Sequence, residues 1–267
     1  MEFFSLAGNI AAHIEDSGSG SGTILLLHGY METMYIWEDV FEELCSAGYR
    51  VIRMDLPGHG LTCTAPVDTM ELMATVAKGV LDVCKVEKAT VVGHSMGGFA
   101  AINCCRMFPE RFSGLVLLNS HPYADTPEQK TQRQREIDVI ESGHLLSLAE
   151  LSIPRTFHES NLRPLDEKIR EIVELCETHD PAGIVAGIKG MEERGDTSDF
   201  LEKCRLPKMA ICGDSDFLVT AQVRDRLAAD CPSLPLEVLP ECGHNAFLEA
   251  PERTMELLKG FLTRENC

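Results

Sequence analysis

Basic residues are scarce in this sequence: 24 Lys and Arg stand against 42 Asp and Glu, a formal net charge of −18. Phosphate contacts need a basic surface, so nucleic-acid binding is not expected, and the acidity reads as a solvated surface. No apolar run is long enough to cross a bilayer. The opening Met1-Glu2-Phe3-Phe4 lacks the basic region and apolar stretch of a signal peptide. The final Cys267 is not the fourth residue from the end, as a prenylation box requires. Membrane insertion is therefore not expected, and a cytoplasmic location is. Metal-type Cys-x-x-Cys spacing is also missing, although there are eleven cysteines. Cys84, Cys104, Cys105 and Cys212 fall in stretches that read as helix or strand, so the thiols read as reduced, buried small hydrophobes. Neither a cofactor nor a metal is expected. Nothing in the sequence specifies an oligomeric state.

Apolar residues make up 44% of the 267, enough for one large domain with an inserted segment. Short apolar runs at 24–27, 50–55, 89–92 and 115–118 read as buried strands. Between them, 37–47, 70–84 and 97–107 read as helices. Such alternation implies a parallel sheet with helices on both faces. From 120 to 205 no strand is apparent, and 126–142, 165–178 and 182–194 read as polar helices. The alternation resumes with strands at 208–212 and 236–239, a helix at 221–229 and a final helix including 251–262. The expectation is a core of residues 1–119 and 206–267, interrupted by a helical lid at 120–205.

One pentapeptide carries the chemistry. Gly93-His94-Ser95-Met96-Gly97 follows an apolar strand and opens a small-residue helix. A serine on so sharp a turn is lifted out of the sheet at a helix N-terminus, where negative charge is favoured. Its hydroxyl needs a base. Of nine histidines, His244 is the best placed, in a loop after a strand and before the last helix. His59 reads as structural, His28 and His94 as loop-orienting. His13, His144, His158 and His179 have no supporting context, and His121 begins the lid. An acid must hold the imidazole tautomer. Asp216 follows the 208–212 strand; Asp214 and the more distant Asp125 are rivals. Two backbone donors should face a tetrahedral oxyanion: the Met96 amide, and one from the His28-Gly29-Tyr30-Met31 loop, best Tyr30. Candidate pocket residues are Met31, Met96, Tyr123, Phe157, Phe217, Leu218 and Phe247. Trp37 reads as core beneath the oxyanion loop. Arg133 and Arg135 are the lid cations that could face inward.

Taken in order, His28-Gly29-Tyr30, Asp55-Leu56-Pro57-Gly58-His59-Gly60, Gly93-His94-Ser95-Met96-Gly97-Gly98, Gly213-x-x-Asp216 and Gly243-His244 resemble the α/β-hydrolase superfamily over nearly the whole chain. The resemblance implies an eight-stranded, mostly parallel sheet and a serine esterase-like branch with a helical lid. It implies Ser95, Asp216 and His244 as the triad, with Tyr30 and Met96 as oxyanion donors. The sequence departs from many relatives in reading Tyr30-Met31-Glu32-Thr33 where they have proline soon after His-Gly. Relatives with aspartate at the elbow are dehalogenases or epoxide hydrolases, and Ser95 argues against both. Hydrolysis of a small carboxylic ester through an acyl-enzyme is the leading expectation. Thioester cleavage, carbon–carbon bond hydrolysis of the meta-cleavage type, and a small-molecule receptor on the same scaffold are the alternatives.

Overall fold

The computed structural model describes residues 1–265, so Cys267 lies outside it. Six strands run parallel, as the apolar runs predict: β3 (Thr23–Leu27), β4 (Arg50–Met54), β5 (Ala89–His94), β6 (Phe112–Leu118), β7 (Lys208–Gly213) and β8 (Leu236–Leu239). Every residue of β5 and β7 is buried, the pattern of strands covered on both faces. The two strands that complete the eight form an N-terminal hairpin, β1 (Glu2–Ala7) and β2 (Ile10–Asp16), in which β2 pairs antiparallel with both β1 and β4. Its two-residue turn, Gly8-Asn9, has φ of +55° and +68°, the paired positive values a tight hairpin requires. The sheet order is β1-β2-β4-β3-β5-β6-β7-β8.

The chain leaves β3 toward β4 on one side and returns to β5 on the other. That reversal opens a crevice at the carboxyl ends of β3 and β5, where open α/β sheets bind ligands. The helices of the core are α1 (Glu38–Ser46), α2 (Met70–Val83) and α3 (Met96–Met107), followed after the insertion by α9 (Ala221–Asp230), α10 (Ala246–Glu249) and α11 (Pro251–Glu265). Trp37 is fully buried in the core and ends a short 3-10 turn before α1.

Between β6 and β7 the chain inserts α4 (Pro127–Glu141), α5 (Leu145–Ser152), α6 (Asp166–Glu177), α7 (Pro181–Glu193) and α8 (Ser198–Lys203). Thr126 and Gln129 cap α4 reciprocally, which starts it sharply after β6. Within the insertion, the start of α4 is tied to the end of α7 by Asp125, whose fully enclosed carboxylate pairs with Arg133 and, at 2.6 Å, with Arg194. Arg135 is exposed, so of the two lid cations only Arg133 turns inward. No helix among the described residues is long and apolar enough to cross a membrane. All ten cysteines among them are free thiols.

Candidate active site

Ser95 sits between β5 and α3 with φ +51° and ψ −115°, backbone that a side-chain-bearing residue adopts only when its surroundings force it. The forcing contacts are visible. The Ser95 amide donates to the Leu118 carbonyl at 3.0 Å, and its carbonyl accepts from the Ser120 hydroxyl at 2.8 Å. A Cβ at Gly97 would stand 2.3 Å from the Leu27 carbonyl oxygen, so α3 can begin this close to β3 only with glycine there. The Met96 amide is the first of α3 and has no intrahelical acceptor. The Tyr30 amide, in the loop after β3, has no acceptor among the described residues.

The Ser95 hydroxyl lies 2.8 Å from His244 Nε2, and His244 Nδ1 lies 2.8 Å from Asp216 Oδ2. Asp216 is anchored on both oxygens. Oδ2 also accepts from Asn119 Nδ2 at 2.9 Å, and Oδ1 accepts from the Leu218 and Val219 amides at 2.8 and 3.0 Å. Burial penalises the carboxylate, but the imidazole of His244 and these donors outweigh it and hold its pKa far below the usual carboxylate range. An ionised Asp216 requires the proton on Nδ1, which leaves the Nε2 lone pair facing the serine hydroxyl. Asp214 is exposed and accepts from the neighbouring Ser215 hydroxyl at 2.9 Å, with no bond to His244. Asp125 is committed to its two arginines.

Two residues that no motif singled out hold this arrangement. Asn119, at the end of β6 with φ +47°, bridges Asp216 to the Gly243 carbonyl, donating to the latter at 3.0 Å. Glu32, the residue that departs from the proline-bearing loop, is buried and accepts from the Gly29 amide at 2.5 Å. It also accepts from His94 Nδ1 at 3.0 Å, while His94 Nε2 donates to the His244 carbonyl at 2.9 Å. An acceptor oxygen faces each ring nitrogen of His94, an environment that favours the imidazolium. Burial disfavours its charge, yet the field and hydrogen bond of Glu32 raise its pKa. For Glu32, burial is likewise overcome by the His94 charge, and its pKa is lowered. The only signal for Glu32 in the sequence was a carboxylate in an otherwise uncharged loop. His28 joins loops as expected: Nδ1 donates to the Gly29 carbonyl at 2.7 Å and Nε2 accepts from the Leu56 amide at 2.9 Å.

The expected pocket residues divide. Met31, Met96 and Phe157 are buried. Tyr123 is buried too, but its hydroxyl bonds Asp230 at 3.2 Å and Arg226 lies 3.7 Å over its ring, so it faces α9. Phe247 is a correction: its ring packs 4.6 Å from Trp37 and 4.9 Å from His94, which places it in the core beneath the elbow. Phe217 and Leu218 are 46% and 43% exposed, so they stand on the surface beside Asp216 rather than walling an enclosed cavity. His121 is buried against Phe99 and Tyr123; burial, then the charge of Arg194, depresses its pKa to about 3, and it is neutral. A surface groove of about 790 Å³ between Asp39 and α6 contains none of these residues. Among the described residues no three His, Cys, Asp or Glu side chains converge as metal ligands.

Comparison with known proteins accords with this geometry. Residues 22–251 match the family model described as alpha/beta hydrolase fold. A 2-hydroxy-6-oxononadienedioate/2-hydroxy-6-oxononatrienedioate hydrolase of Paraburkholderia phymatum is 28% identical, over 95% of this chain and 91% of its own. A pimeloyl-[acyl-carrier protein] methyl ester esterase of Nitrosomonas europaea is 29% identical, over 90% of this chain and 95% of its own. The structure of a thermophilic esterase from Thermogutta terrifontis superposes with a TM-score of 0.92 at 30% identity, covering 100% of both chains. With the family matched across both parts of the sheet, this chain belongs to the α/β-hydrolase fold family.

Proposed function

We propose that this α/β hydrolase cleaves a small carboxylic ester by way of an acyl-enzyme on Ser95. The observation that carries the reading is the hydrogen-bonded line Ser95–His244–Asp216, with both contacts at 2.8 Å. In the reaction His244 Nε2 takes the serine proton as Oγ attacks the ester carbonyl. The Tyr30 and Met96 amides stabilise the oxyanion, and loss of one such donor typically costs ~3–4 kcal/mol of transition-state stabilisation. His244 then protonates the departing alkoxide, deprotonates water, and the water clears the acyl group. Asp216 remains ionised and balances the imidazolium charge. The helical insertion, residues 120–205, acts as a lid over the crevice, and residues 1–119 with 206–267 form the catalytic core. The acidic surface and free thiols suit a protein of a reducing, cytoplasmic setting.

The test is turnover of a short-chain aryl ester by purified protein. Many turnovers per molecule are expected, with kcat reduced on the order of 10⁵–10⁶-fold in Ser95→Ala. A single stoichiometric burst would instead favour a receptor that binds and acylates once. The similarity to a hydrolase of oxononadienedioates supports a second reading, carbon–carbon bond cleavage of a dienoic diketone by the same residues. Failure to cleave such a diketone alongside active ester turnover dismisses that alternative.

A further inference from the structure

The loop that carries His244 is fastened not only to the core but to the insertion. The His244 amide donates to the Thr156 carbonyl at 2.6 Å, and Asn245 Nδ2 donates to the Thr156 hydroxyl at 2.7 Å. The approach is so close that a Cβ at Gly243 would lie 2.4 Å from the Thr156 carbonyl oxygen and 2.9 Å from the His158 nitrogen. One carboxylate closes the joint. Glu249, half-buried at the end of α10, accepts on Oε1 from the Gly243 amide at 2.8 Å and from the Asn245 amide at 3.3 Å. On Oε2 it accepts from the His158 amide at 2.7 Å and from Asn161 Nδ2 at 2.9 Å. Asn161 Nδ2 also reaches the Glu241 carbonyl at 2.9 Å.

We infer that Glu249 is a positioning residue for His244, and that residues 156–161 are a fixed strut of the base rather than part of a lid that swings away. This rests on His244 being the base of the proposed reaction. Two loop amides on one side and two donors of the insertion on the other converge on a single carboxylate, so the two segments move together. An insertion that opened as one body would pull Thr156 from the His244 amide and unseat the imidazole. Opening must therefore occur elsewhere in the insertion, with the 156–161 segment left in place. A displacement of about 1 Å at a reacting group costs on the order of 100-fold in rate. Glu249 has no contact with Ser95, and its effect reaches the chemistry only through the 243–245 backbone.

The test uses the full chain and a fluorophosphonate. Ser95 Oγ attacks phosphorus, fluoride leaves, and His244 takes the hydroxyl proton, so labelling reads the base without needing the natural substrate. Glu249→Gln turns an NH₂ toward donors that now face oxygen. Its labelling rate and kcat for an aryl ester should fall by about 10- to 100-fold, with KM changed little. The pH profile of labelling should change along with the rate, which a merely structural role of Glu249 would not produce. Asn161→Ala, which removes the side-chain bonds to Glu249 and the Glu241 carbonyl and leaves the Thr156 and His158 bonds in place, should move the same quantities less and in the same direction. Hydrogen exchange should show faster amides at His158 and His244 in both variants, with α4 unchanged. Wild-type labelling rates, pH profiles and exchange in both variants would overturn the strut, as would a lowered melting temperature with unchanged rate and pH profile. Absence of labelling and turnover in the wild type would overturn the hydrolase reading instead, while the exchange measurement would still decide the strut.

Discussion

The strand-end loops of the core and the inserted helices are held by different means. In the core, ten of the twelve residues of α3 are buried, and the loops lock through backbone bonds, close glycine contacts and enclosed polar partners. In α4 only Ile137 and Ile140 of fifteen residues are buried, and the helix is secured at its base by an ion cluster. The first material tolerates almost no change of shape, because each contact is fixed by backbone fit. The second leaves most of its surface free to vary, with its attachment concentrated in a few charged side chains.

The comparison is sharpest at the carboxylates. Asp216→Asn should lower kcat by about 10⁴-fold, because an amide at that position promotes the wrong imidazole tautomer. Asp214→Asn, on an exposed side chain, should leave kcat and KM nearly unchanged. Steady-state kinetics on the same aryl ester checks both. If the two effects were reversed, the acid would have to be moved, and the geometry around His244 with it.

Asp125→Asn tests the other material. Removing one member of a buried ion pair typically costs about 3–5 kcal/mol, because the surviving charge stays desolvated. Arg194, whose side chain is 5% exposed and whose pKa burial already lowers to about 10, would be left in that position. The variant should unfold at distinctly lower urea, and KM for the ester should rise while kcat falls much less. A loss confined to kcat would mean that the cluster serves the chemistry directly and that the two regions are not separable in this way.

Much of the core was legible because its constraints are local. Apolar runs such as Ile24-Leu25-Leu26-Leu27 and Thr90-Val91-Val92 can only be buried strands, and the order of Ser95, Asp216 and His244 follows the strand order that the alternation implies. The hairpin of β1 and β2 was harder to read, since Gly8-Asn9 is a turn signal of only two residues between short alternating runs. The supports of the site were least legible. Asn119, Glu32 and Glu249 act on partners 97, 62 and 91 residues away, respectively, and no periodicity encodes such pairings. Phe247 failed as a pocket residue for the same reason: its hydrophobicity is visible in the sequence, but the side of the elbow on which it packs is set by Trp37 and His94.

The smallest predicted effect concerns a charge in the core that lies outside the strand-end loops. His13 is fully buried between Asp55, at 2.8 Å from Nδ1, and Glu2, at 2.6 Å from Nε2. Its hydrogen bond to Asp55 outweighs burial and raises its pKa, while Asp55 and Glu2 are both lowered. Asp55 in turn accepts from the Met34 and Leu61 amides at 2.8 and 3.0 Å, joining β2 to the end of the oxyanion loop. A raised histidine pKa contributes stability that is complete below its unfolded value of about 6.5 and is lost as pH rises through the folded value. The lowered carboxylates act in the opposite sense, and their contribution is lost only as acid protonates them. Urea midpoints of the wild type should therefore carry a falling component above about pH 6.5 that His13→Gln lacks. His94 contributes with the same sign, and His28, His59, His121 and His179, all lowered by burial, with the opposite one. The difference between the two curves isolates His13. An identical slope in both proteins would mean that His13 is neutral in the folded chain and that one of its carboxylates holds the proton instead, so that a neutral hydrogen bond rather than an ion pair joins β2 to Asp55.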